Sequence, residues 1–140
     1  SLLETAAQQI ETAVKKVQTH SHRVNVLRLM THENLGIARE ANGKYIEAQK
    51  AYDFTAALPN GSSAHYRAGL LLTKMASLEW AARRPSEALN YFSDAKNRIG
   101  LAAVLPQTVS TNQRAETIAY IDNAIHFLEG ARIHPKVAPR

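Results

Sequence analysis

Apolar residues recur at three- and four-residue steps along most of the chain, and no stretch alternates apolar with polar residues as a half-buried strand would. Leu3, Ala7, Ile10, Val14 and Val17 form a narrow seam on a helix expected at 2–19. Ser21 is placed to cap a second helix that carries Val24, Leu27, Met30, Leu35 and Ala38 and runs to Asn42. Gly43 ends it, because glycine adopts the positive φ that follows a last helical turn. Tyr45, Ala48, Ala51, Tyr52 and Ala56 then give a helix at 44–57 one apolar face, and Leu58-Pro59-Asn60-Gly61 stops it with turn chemistry. A fourth helix, 64–83, has Leu71, Leu72, Met75, Leu78 and Ala82 on one side. Arg84-Pro85-Ser86-Glu87 breaks it, and Pro85 is tolerated in a first turn whose N–H groups lack partners anyway. The fifth helix is expected from Ser86 to about Val104, ended by Leu105-Pro106. Ser110-Thr111-Asn112-Gln113 reads as a capping box for a sixth helix, with Ile118, Ile121, Ile125 and Leu128 inward and Gly130 as its stop.

The pattern around the second and third helices resembles a tetratricopeptide repeat. With His32 taken as the repeat's fourth position, Leu35 and Gly36 fall on seven and eight. Gly43, Tyr45, Ala48 and Tyr52 fall on fifteen, seventeen, twenty and twenty-four, and Pro59 closes the unit. Gly36 and Ala48 would let two helix axes approach more closely than the usual ~8–10 Å. Ala88, Phe92 and Ala95 repeat the spacing of Ala48, Tyr52 and Thr55 forty residues later, against a family period of about thirty-four. No glycine stands at that second turn, and Pro85 replaces the aromatic. The resemblance implies an all-α fold of antiparallel helical hairpins at about 29–59 and 69–98, stacked as a short right-handed superhelix. Flanking helices at 2–19 and 111–130 would complete one domain at 1–133, with a mobile tail at 134–140. The same Gly43-Lys44-Tyr45-Ile46-Glu47-Ala48 run is also similar to microtubule-interacting and trafficking domains, which dock short helical peptides between three helices.

At 140 residues the chain fits one domain burying roughly 65–70% of its unfolded surface. No apolar run approaches the ~18 residues of a membrane span, and no secretory signal is visible, so a cytoplasmic location is expected. The first residue, Ser1, points to an excised domain or a processed form. The absence of cysteine excludes disulfides and thiolate chemistry. The N-terminal seam lasts barely two and a half heptads before His20-Ser21-His22, short of the three or four that a coiled coil sustains. It therefore suits a helix packed on the first hairpin better than a strip for homodimerisation.

A net charge of +5 and a pI near 9.7 raise the question of nucleic acid. The cations are dispersed, the longest clusters being Lys15-Lys16 and Arg83-Arg84. Glu79 near Arg83 and Glu40 near Lys44 have the spacing of surface ion pairs, and no aromatic–basic interleaving suggests base stacking. No specific nucleic-acid partner is expected. His22 and His32, ten residues apart, would be separated by about 15 Å along one helix, too far to share an ion, so surface histidines and no metal or cofactor are expected. Nothing resembles a phosphate loop or nucleophile elbow, and the chain reads as non-enzymatic.

The resemblance implies instead a scaffold that binds a partner's peptide or helix along the first helix of each hairpin. Projecting the family's inner positions gives Met30, Glu33, Ile37 and Glu40 from the first repeat, and Leu70, Thr73, Ser77, Trp80 and Ala81 from the second. Trp80 is either a binding anchor or a core plug beside the Arg84-Pro85 break. Family members that hold a terminal carboxylate use Lys and Asn at the fifth and ninth positions; here Glu33 and Ile37 stand there, which argues against that use. An oligomeric structural bundle, with the N-terminal seam as interface, is the other class consistent with the pattern.

Overall fold

The computed structural model describes residues 1–16, 22–102 and 111–133, and all regular structure among them is helical. The elements are α1 (Leu2–Lys15), α2 (His22–Ala41), α3 (Tyr45–Ala57), α4 (Ala64–Ala81), α5 (Pro85–Leu101) and α6 (Thr111–Ile133). They divide into two compact units, Ser1–Ala64 and His65–Arg140.

In the first unit α1 starts because the Ser1 hydroxyl accepts the Glu4 amide, with Glu4 itself placed in the electropositive first turn. Its seam is used inside the chain: Ala7 is buried with Leu35 of α2 and Ala51 of α3, and Leu3 packs on that cluster. Val14 is buried as well. The helix ends at Lys15, earlier than the expected Thr19. Expected residues Val17, Ser21 and His20 lie outside the described residues, as do Leu105-Pro106, Ser110 and the tail at 134–140.

α2 and α3 form a tight antiparallel pair. Gly36 is buried against Tyr52, and a β-carbon there would come within 2.5 Å of the Tyr52 ring. Ala48, one turn before Tyr52, is completely buried. The missing side chain at Gly36 thus leaves room for the Tyr52 ring, and buried Ala48 keeps the neighbouring turn of α3 small. The Tyr52 hydroxyl donates to Glu40 Oε1 at 3.0 Å, and Arg39 Nη1 donates to the Glu47 carbonyl at 3.0 Å. After α3, the Gly61 amide bonds the Leu58 carbonyl with Pro59 second and Asn60 at φ 61 third, the layout of a type II turn. A β-carbon on Gly61 would lie 1.9 Å from the Thr55 carbonyl oxygen, so only glycine fits.

The second unit packs α4, α5 and α6 around Leu72, Ala76, Ala88, Phe92, Ala95, Ile99, Ile121, Ala124 and Leu128. A β-carbon on Gly69 would meet Ile99 Cγ1 at 2.5 Å and the Ala95 carbonyl oxygen at 3.1 Å, so α4 and α5 also approach closely. Lys96 and Asp122 pair across α5 and α6 at 2.7 Å. The expected apolar side of α4 is covered over only part of its length: Leu71 and Leu72 are buried, with Ala64, Ala68 and Ala76, and Met75 packs on the core, whereas Leu78 and Ala82 at the C-terminal end of that side are exposed. α5 stops at Leu101 rather than Val104, its chain leaving the helix at Ala102. α6 continues through Gly130 to Ile133 because one glycine weakens a helix by only ~1 kcal/mol and does not by itself end it.

The two hairpin turns are built alike, forty residues apart. In the first, the amides of Asn42, Gly43, Lys44 and Ala48 bond the carbonyls of Ala38, Glu40, Arg39 and Lys44. In the second, those of Ala82, Arg83, Arg84 and Ala88 bond Leu78, Trp80, Glu79 and Arg84. Each partner pair is shifted by the same forty positions. Gly43 has φ 75 and Arg83 φ 62, so an arginine occupies the left-handed position that glycine takes in the first turn.

Candidate functional site

The two faces of α2 have opposite characters. His32, Leu35 and Gly36 are buried on one side. On the other, Val26, Leu27, Met30 and Ile37 lie within an arc of about 100° at 100° per residue. Met30 is 58% exposed, Leu27 54%, and Val26 and Ile37 37% each. Leu27 and Met30, which periodicity alone grouped with Leu35, therefore belong to the outward stripe. Glu33, half-buried, flanks it on the same helix. Scattered exposed apolar residues are ordinary, whereas four within one arc, with exposed Arg23 and Asn34 among them, form an amphipathic surface.

The expected site residues divide by what already engages them. Met30 and Ile37 present exposed apolar surface. Glu40 is drawn into the hairpin by the Tyr52 hydroxyl, so its charge helps to hold α2 to α3. Thr73 and Ser77 are half-buried, and their hydroxyls bond back to the carbonyls of Gly69 and Thr73 one turn earlier. Leu70 is 43% exposed at the place on α4 that Met30 holds on α2, with Lys74 exposed on the next turn. Its counterpart on α2 is Asn34, also exposed, so each outward face carries one polar residue a turn beyond its exposed apolar side chain.

Trp80 is half-buried against the core of its unit. Its ring meets Phe92 edge-on at 6.4 Å and Phe127 at 5.3 Å, and Phe92 in turn meets Tyr120 at 6.4 Å. Trp80 and Phe92 hold the positions of Glu40 and Tyr52 in the other hairpin, forty residues apart. A carboxylate–phenol bond in one unit is replaced by an edge-to-face aromatic pair in the other, and both tie the end of the first helix to the second.

The strongest polar constellation was not anticipated from sequence. Glu11 of α1 accepts from Arg28 Nε at 3.0 Å and Nη2 at 2.6 Å, and its Oε2 lies 3.1 Å from His32 Nε2. The His32 ring is buried and lies against Phe54 at 4.2 Å. His32 is therefore not the surface histidine that was expected. The Arg28 guanidinium holds the Glu11 carboxyl below the usual carboxylate range; burial opposes this and the His32 bond assists. All the side chains involved are spoken for in joining α1, α2 and α3. His65 Nδ1 accepts from Arg98 Nε at 3.0 Å. Glu79 pairs with Arg84 rather than with Arg83.

Among the described residues no group of three or more His, Asp or Glu could hold a metal ion. No described helix is long and apolar enough to cross a membrane. No family model, curated protein or solved structure matches this chain.

Proposed function

We propose that this chain is a non-enzymatic interaction module built of tetratricopeptide-like hairpins, and that it receives an amphipathic helix of a partner protein on the outward face of α2. The exposed stripe of Val26, Leu27, Met30 and Ile37 carries the proposal. A partner helix lays apolar residues at three- and four-residue steps along such a stripe. Glu33 at its edge favours a basic residue on the partner, which would bias encounter and register more than affinity. The shared hydrogen-bond pattern of the two turns supports the hairpin reading, and the packing of buried Ala7 and partly buried Leu3 within the chain favours an intramolecular use of the N-terminal seam.

Fluorescence anisotropy with synthetic amphipathic helices tests the proposal. Peptides matched in apolar face but flanked by Lys/Arg or by Asp/Glu are titrated with the protein. The basic peptide is expected to bind saturably and the acidic one at least about tenfold more weakly, a difference near 1.4 kcal/mol. Met30→Asp with Ile37→Asp should abolish binding while helicity is retained, and Glu33→Lys should erase the charge preference. Glu40 is unsuitable for that reversal because the Tyr52 bond would be lost with it. Equal binding of both peptides by the double variant and the parent would refute the assignment of this face.

A further inference from the structure

The turn between α4 and α5 departs from a rule that its counterpart obeys. Both turns make the same backbone bonds and place their third residue in the left-handed region. In the first that residue is Gly43; in the second it is Arg83. A β-carbon there costs roughly 1 kcal/mol that glycine would avoid. Two neighbouring positions change as well, Tyr45 to Pro85 and Ile46 to Ser86. The resulting run is Arg83-Arg84-Pro85-Ser86, in which Arg83, Arg84 and Ser86 are exposed. Folding requires neither two arginines in this turn nor a serine beside them, and strain kept at an exposed turn is a reason to look for a use.

The same turn is loosely fastened. Arg84, at the N-cap of α5, makes no side-chain bond to the first-turn amides, and Pro85 has no N–H to surrender. Presenting Ser86 to an enzyme in extended form needs only the segment before Ala88 to open, at the cost of the Ala88–Arg84 backbone bond and of no side-chain cap. The Arg84 guanidinium is held by a surface pair with Glu79, open to exchange, with Glu87 adding its attraction.

We propose that Ser86 is a phosphate-acceptor site for a basophilic serine/threonine kinase, which reads Arg83 and Arg84 three and two residues before the acceptor. Kinases select substrates largely by such charge patterns, and two adjacent cations fit an acidic substrate groove. In the transfer, Ser86 Oγ attacks the γ-phosphorus of a magnesium-bound nucleoside triphosphate. The new O–P bond forms as the bond to the β-phosphate oxygen breaks, the nucleoside diphosphate leaves, and the hydroxyl proton passes to a carboxylate of the kinase. The product places a dianionic group two residues from Arg84, where it competes with Glu79 for the guanidinium. Glu79 precedes Trp80, the single tryptophan of the chain, so the exchange has a fluorescent reporter.

The test incubates the full chain under native conditions with magnesium ATP and a purified basophilic kinase, then locates phosphate by peptide mass spectrometry. One phosphate at Ser86 is expected, none in Ser86→Ala, and a transfer rate lower by about tenfold in Arg83→Gln and in Arg84→Gln, as for one lost charged contact. Trp80 fluorescence should change on modification of the parent and not of Ser86→Ala. Phosphate at other hydroxyls, transfer only to the urea-unfolded chain, or undiminished rates in the arginine variants would each overturn the proposal. Kinase binding without transfer would overturn it too, leaving the arginine pair as a docking contact for acidic surfaces.

Discussion

At Gly36 one added carbon would collide with the Tyr52 ring, whose hydroxyl is anchored at Glu40 and whose faces are enclosed. Gly36→Ala should therefore destabilise the first unit by about 1–3 kcal/mol, since the ring cannot swing aside without breaking its bond. Urea denaturation measures this, and an unchanged midpoint would mean that Tyr52 relaxes freely. Ala48 is equally enclosed, and Gly36 and Ala48 are the residues whose small size the sequence marked as a crossing. Glu11 behaves differently because its contribution depends on charge. Its folded pKa lies below the ordinary ~4.3, so its stabilisation is fully present above that value and disappears as pH falls through the depressed folded pKa. Glu11→Gln should accordingly lower the thermal midpoint near neutral pH and lose most of that difference as pH falls through the depressed folded pKa. A deficit that stays constant with pH would attribute the loss to packing alone. Nothing local in the sequence announced this carboxylate: Arg28 and His32 lie 17 and 21 residues away, and only tertiary structure joins them.

Among the elements, the helix ends with distinctive turn chemistry were the most legible. Gly43, the Leu58-Pro59-Asn60-Gly61 turn and Pro85 all sit where their backbone preferences predicted. Helix faces were less legible. α2 carries apolar residues on both sides, so periodicity cannot tell Leu35, which packs inward, from Leu27 and Met30, which do not. On α4 the face was legible but not how far it is covered: Leu78, on the same side as buried Leu71, is exposed two turns further along. Of the expected site, Met30 and Ile37 were legible as one helical face, whereas the engagement of Glu40 with Tyr52 depends on how α3 is seated. The paired turns give the element-scale prediction. Arg83→Gly should raise stability by up to about 1 kcal/mol and Gly43→Arg should lower it by a similar amount, because both positions need the left-handed region. Denaturant midpoints that move in the same direction for both variants would show that the two turns do not share the strain.

For the whole molecule, a net charge of +5 is compatible with a partner-binding role because charges of both signs are distributed over the helices rather than gathered in one basic patch. The exposed apolar stripe on α2 is the feature that most calls for a partner. The chain contains two methionines, which offer a direct probe. Met30 is 58% exposed at the centre of the stripe, and Met75 packs on the core of the second unit. With methionine methyls labelled in carbon-13, a basic amphipathic helical peptide is titrated against the protein by NMR. The Met30 signal should shift and saturate along the binding isotherm while the Met75 signal stays in place. A stationary Met30 signal at a peptide concentration that saturates binding would contradict the α2 face as the site of partner recognition.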